Sequence, residues 1–170
     1  QLYIASRNSS GSLISSSDTL KLNIKKYLNS YRMISDSIEV LDAQIVNLQL
    51  KFSVVVDPAL NKSTVLATVL KKLQDKFSLK RMFIDQPIII SEVVNLIFTV
   101  QGIIAVDDVQ FTNVSGNVNN KSYSDVIHDV KAYTKRQFIF PPSGGIFEIR
   151  YPDTRSEEHT SELQSRFGIS

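Results

Sequence analysis

Along residues 44–57 apolar and polar side chains alternate almost without a break. Val46, Leu48, Leu50, Phe52, Val54 and Val56 fall on one parity, and Asn47, Gln49, Lys51 and Ser53 on the other. Successive side chains of a strand point to opposite faces, so this spacing predicts a half-buried β-strand with one apolar and one wettable face. A slip of one residue would turn the whole apolar set to water, which fixes the register. Asp57-Pro58 then reads as a turn. Asn61 or Ser63 is placed to cap a helix in which Val65, Leu66, Val69, Leu70, Leu73 and Phe77 share a face, with Lys71, Lys72, Gln74, Asp75 and Lys76 opposite. Strand and helix hide their apolar faces most simply by packing together, and that unit organises the chain.

The flanking segments extend the pattern. Residues 2–5 predict a short strand, 6–11 a loop, and Ser17 or Asp18 caps a helix reaching about Asn29 with Leu20, Ile24, Tyr27 and Leu28 on one side. A connector over 31–36 leads to a strand portion over 38–42 whose alternation stumbles at Asp42-Ala43, a bulge or bend. Pro87 permits at most a short edge strand over 88–90. Ser91 is a good N-cap, Gly102 a natural stop, and the apolar run between them predicts a short buried helix, though its β-branched content also fits a strand. Residues 106–114 predict a strand with Val109 and Phe111 inward. Residues 115–120 are turn-rich, and 121–136 lack a clean period, which predicts a long surface excursion. The second clear period-2 signal is 146–151, reached through Pro141-Pro142-Ser143-Gly144-Gly145, a link able to deliver a strand to a sheet edge or to a neighbouring subunit. The expected fold class is α+β: a small mixed sheet with two to three packed helices, in the rough order β-α-β-β-α-(β)-α-β-β.

Composition narrows this little. A chain of 170 residues, 42% hydrophobic and 21% charged, suits one ordinary globular domain. Residues 155–170, RSEEHTSELQSRFGIS, change character abruptly and resemble the in-frame translation of a sequencing-library adapter. The natural region is therefore taken as 1–154, expected to be a fragment of a longer protein because the chain starts at Gln1 and ends in that tail. Setting the tail aside removes Arg155 and Arg166 against Glu157, Glu158 and Glu162, so the formal charge of +2 becomes about +3, too weak to argue for nucleic acid. Without cysteine, neither disulfides nor thiolate chemistry is available. The most apolar window, 88–106, contains Glu92, Asn95, Gln101 and Gly102 and divides into short elements rather than one membrane span.

Reactive constellations are scarce. Asp107 and Asp108 are adjacent, so on a strand they diverge, and a strand-start turn is the better reading. Ser143-Gly144-Gly145 lacks the lysine of a phosphate loop and precedes a strand. His128 lies among Ser124, Asp125 and Asp129 without a nucleophile elbow, so a solvated histidine is favoured over a hydrolase centre. No catalytic, cofactor or metal set emerges, and no small-molecule substrate or membrane partner is expected. The late aromatic and aliphatic side chains Phe138, Phe140, Ile146, Phe147, Ile149 and Tyr151 are the candidate interface residues. The basic density beside them is low, which favours burial or a protein contact over base stacking.

Several stretches together carry a resemblance. They are Asn23-Ile24-Lys25-Lys26-Tyr27-Leu28 with residues 31–36, then 54–58, 85–95, Gly102 with 106–111, and Phe140-Pro141 with 144–152. In order and spacing they resemble the C-terminal part of the baseplate wedge protein of T4-like contractile-tailed bacteriophages, in the baseplate J-like group. Gly102-Ile103 stands where the wider group has Gly-Val. The resemblance implies a non-enzymatic structural subunit of the virion, assembled in the host cytoplasm. It would form homodimers that join into a ring, bind other wedge proteins, and rearrange when the sheath contracts. The competing reading from the residues is a small nucleic-acid-binding module of ferredoxin-like order, which requires exposed aromatics on a sheet face.

Overall fold

A computed structural model describes residues 1–9, 11–31, 37–78, 81–118 and 120–149. Its elements run β1 (Leu2–Ile4), β2 (Ser6–Arg7), β3 (Leu13–Ile14), α1 (Asp18–Asn29), β4 (Val40–Asp42), β5 (Gln44–Val56), α2 (Lys62–Lys76), β6 (Ile88–Ile89), α3 (Ile90–Phe98) and β7 (Ile103–Asn113). They continue through the short strands β8 (Asn117–Val118), β9 (Lys121–Ser122), β10 (Thr134–Lys135), β11 (Phe138–Ile139) and finally β12 (Gly145–Ile149). The class is α+β, as the residue pattern predicts.

The alternating stretch is the middle strand of a three-stranded sheet, β12-β5-β7, with β12 parallel and β7 antiparallel to it. Val46, Leu48, Val54 and Val56 of β5 meet Val65, Val69 and Leu73 of α2, Val93 and Ile97 of α3, Phe111 of β7, and Phe147 and Ile149 of β12 in the main core. Helix α2 begins where expected, because the Asn61 side chain accepts the Ser63 and Thr64 N–H groups. The predicted wettable face of β5 is interrupted: Ile45 and Asn47 are buried too, because β12 and the β2–β3 hairpin cover this end. There Leu13, Ala43, Ile45 and Ile146 form a second, smaller cluster on the reverse face.

Strand β7 carries two irregularities, at Ser53/Val54 and at Val55/Val56, where the partner register skips Asp107 and Ile104. The apolar residues Ile103, Val106, Val109 and Phe111 are spaced by three, three and two, and one extra residue at each wide step keeps all four towards the helices. Asp107 and Asp108 thus lie inside the strand, both exposed, and not in a turn before it.

Other expectations are corrected by tertiary contacts. Where a loop is expected, Ser6–Arg7 pairs antiparallel with Leu13–Ile14, and Leu13 is buried. Helix α3 forms in spite of its β-branched residues, but Ser91 is not its cap: Ile89 is, and Ile90 N–H donates to the Gln137 carbonyl at 2.9 Å. Nor is α3 buried all round, since Val93 and Ile97 are covered while Phe98 is 48% exposed. Residues 121–136 are not a loose excursion. Ser124 N–H donates to Asn47 Oδ1 at 2.7 Å, His128 N–H donates to Asn113 Oδ1 at 3.1 Å, and Val130 is buried. Of the 31–36 connector, 32–36 lie outside the described residues.

Candidate interface surfaces

The late apolar residues divide into two groups. Ile146, Phe147 and Ile149 are 5%, 0% and 7% exposed, so the expectation that they face a partner is corrected. Strand β12 goes to the edge of the chain's own sheet, pairing with β5 from Gly145↔Gln44 to Ile149↔Leu48, and its side chains are spent on the two cores. Its approach is set by Gly144 at φ +68, whose N–H donates to Asp85 Oδ1 at 2.7 Å while Asp85 N–H donates to the Gly145 carbonyl at 2.8 Å. A Cβ at Gly144 would lie 2.3 Å from the Tyr3 ring. Tyr151 lies outside the described residues.

Phe138 and Phe140, by contrast, are 38% and 41% exposed. They stand on a second three-stranded sheet, β10-β11-β6, with Thr134 opposite Ile139 and Lys135 opposite Phe138. The ladder is extended by Phe140 N–H donating to the Tyr133 carbonyl at 3.0 Å. Ile139 and Ile88 point inward and are buried, which leaves Tyr133, Lys135, Phe138 and Phe140 on the open face. A shallow depression of about 330 Å³ there is lined by Ala132, Tyr133, Lys135 and Phe140.

His128 lies beneath this face and is buried, not solvated. Its Nε2 is 3.0 Å from the Phe140 carbonyl, which as an acceptor requires the proton on Nε2, and the ring packs against Tyr133 at 4.6 Å and Phe147 at 5.9 Å between centroids. These contacts make it a prop for the aromatic face; no hydroxyl nucleophile or carboxylate is hydrogen-bonded to its ring among the described residues.

The second surface is α1. Ser17 Oγ accepts the Leu20 N–H, as expected, and Leu20, Ile24, Tyr27 and Leu28 share a side that Tyr31 prolongs. None of the helix's residues is buried, and Leu20, Leu22, Tyr27 and Tyr31 are 42%, 57%, 64% and 72% exposed. Lys21 attaches it, bonding Asp42 at 2.8 Å and Asp18 at 2.9 Å, while Asp42 also accepts the Ser16 N–H. The hydrogen bonds to Asp42 and Asp18 raise the lysine above its ordinary range, and the bond from Lys21 holds Asp42 below the usual carboxylate range. At the helix end the rings of Tyr27 and Tyr31 lie 5.1 Å apart, and a hydrogen bond with Tyr27 raises the Tyr31 hydroxyl.

Comparison with protein-family models and with curated proteins found no match. Among the described residues no three His, Asp or Glu side chains are grouped to hold a metal ion, and no helix is long and apolar enough to cross a membrane. Phe138 and Phe140 were legible from sequence as candidates. Tyr133 and Lys135 were not, because only the register of β10 against β11 brings them to the same face.

Proposed function

We propose that this chain is a non-enzymatic assembly subunit of a phage tail baseplate wedge, self-associating and docking other wedge proteins through α1. One observation carries the reading: a twelve-residue amphipathic helix buries none of its side chains. Isolated helices of this length are marginal in water, and most helices are stabilised by covering an apolar stripe. A stripe left half open is matched by a partner. The stretch Asn23-Ile24-Lys25-Lys26-Tyr27-Leu28, which resembles the wedge family, falls on this helix. A further supporting feature is that two other resembling stretches meet where Asp85 binds Gly144, 59 residues further along the chain, and Gly145. Exposed polar positions on α1, including Lys25 and Lys26, would form the rim of such a contact.

The test is sedimentation velocity over a range of concentrations, with and without co-purified wedge proteins from the same phage genome. The full chain should associate with itself and with those proteins. Leu20→Ser combined with Tyr27→Ser should remain folded by circular dichroism, because both side chains are exposed, and should lose at least tenfold in association. A chain that stays monomeric, ignores every wedge protein, or associates unchanged in the double variant removes this reading.

A further inference from the structure

The open face of β10-β11-β6 presents chemistry that the docking of α1 does not use. Phe138 and Phe140 are near parallel, 22° between planes with centroids 6.2 Å apart. Tyr133 faces Phe140 across the hairpin and is backed by the buried His128 ring. The three rings are therefore each more than a third exposed, and Tyr133 is held from below by His128.

Cations border the same face. Lys135 lines the depression beside Tyr133 and Phe140, and Arg136 follows it at the hairpin tip. Neither forms an ion pair among the described residues. The nearby Asp129 carboxylate is turned back to accept the Lys131 and Ala132 N–H groups at 3.0 and 3.1 Å. Arg136 and Gln137 have φ of +47° and +71°, the conformation of a two-residue hairpin turn usually given to Asn-Gly. Side-chain-bearing residues in that region cost conformational energy, and Arg136 occupies the first of these two turn positions.

We propose that this face binds single-stranded nucleic acid, with one base in the depression between Tyr133 and Phe140, its neighbour on Phe138, and phosphates met by Lys135 and Arg136. Aromatic rings stack on any base, and cations at their margin match the charge of the backbone. A protein strand or apolar peptide would use the rings but leaves the two cations without a counter-charge. The weak net charge of the chain does not oppose this, because the fold places the relevant charges together.

The experiment is fluorescence polarisation of the full chain with labelled oligo(dT) and oligo(U), and with a duplex of mixed sequence, at several salt concentrations. Both single strands should bind, and the duplex should bind at least tenfold more weakly. Phe140→Ala should weaken binding about tenfold, the effect of losing one stacked base, and Phe140→Trp should retain it. Lys135→Gln should lower the slope of log affinity against log salt by about 0.7. Should Phe140→Ala fail to fold, Phe140→Trp and Lys135→Gln still decide the matter. Absence of saturable single-strand binding, equal binding to the duplex, or indifference to Phe140→Ala in a folded protein overturns the proposal. Loss of self-association in Phe140→Ala without oligonucleotide binding would instead assign the face to protein. The α1 variant discriminates independently, since it should leave oligonucleotide affinity unchanged.

Discussion

Asn47 shows how one side chain can contradict a correct pattern. It sits on the polar parity of its strand, yet is 1% exposed. Its amide donates to Glu148 Oε2 at 2.5 Å, its Oδ1 accepts the Ser124 N–H at 2.7 Å, and its carbonyl accepts from Asn113 Nδ2 and Val114 N–H. Glu148, 3% exposed, also accepts the Leu13 N–H at 3.1 Å. One amide thus joins β5, β12 and the segment after β9. Asn47→Leu would fill the space but remove a donor from a buried carboxylate and an acceptor from a partly buried N–H. A loss of about 2–4 kcal/mol is expected in urea unfolding, and a loss below about 1 kcal/mol would mean the network is dispensable. Gly144→Ala tests a different constraint. Its left-handed φ and the Tyr3 ring together predict a loss of about 2 kcal/mol, checked by thermal melting. Neither the burial of Asn47 nor the approach of Tyr3 to Gly144 was legible in the sequence, since both are long-range events.

At the scale of elements, α1 and β7 give separate expectations. Helix α1 is attached through Lys21 and Asp42. Asp42 has a depressed folded value, so its contribution is present above the ordinary 3.8 and is lost as pH falls through that depressed value. Lys21 is raised, so its contribution is complete below the ordinary 10.5 and disappears as pH rises through the raised value. Protection factors of the α1 amides in hydrogen exchange should therefore hold between these limits and fall in strong acid, and Asp42→Asn should flatten the acid limb. In β7 the extra residue Asp107 sits between the pairs Ser53↔Asp108 and Val54↔Val106. Deleting Asp107 makes those pairs consecutive and leaves every inward residue inward, whereas deleting Gln110 sets Phe111 and Val109 out of phase. The first deletion should yield a folded protein and the second an unfolded one, read by circular dichroism. The caps of α1 and α2 and the break at Asp42-Ala43 were legible because each is local. The cap of α3 was not, because the carbonyl that takes the Ile90 N–H comes from Gln137.

For the whole molecule, the chain's end closes what its middle began. Residues 145–149 lie against residues 44–48, so Phe147 and Ile149 complete a core whose other members lie between residues 46 and 139. Ending the chain at Ser143 should abolish the cooperative melt, because it removes the strand that pairs with β5 and closes the core. Ending it at Thr154 should leave the melting temperature within a few degrees of the full chain. The sequence by itself determined the α+β class, the central strand with the parity of its core-facing side chains, and two helix starts, because periodicity and capping are written in neighbouring residues. Only the tertiary structure decided that β12 belongs to the core, that 121–136 is bound to the sheet, and that His128 is buried beneath an aromatic face. Those outcomes depend on contacts beyond the reach of local spacing, 101 residues apart for β12 on β5 and 77 for Ser124 on Asn47, where strand order chooses which side chains meet and which stay open to a partner.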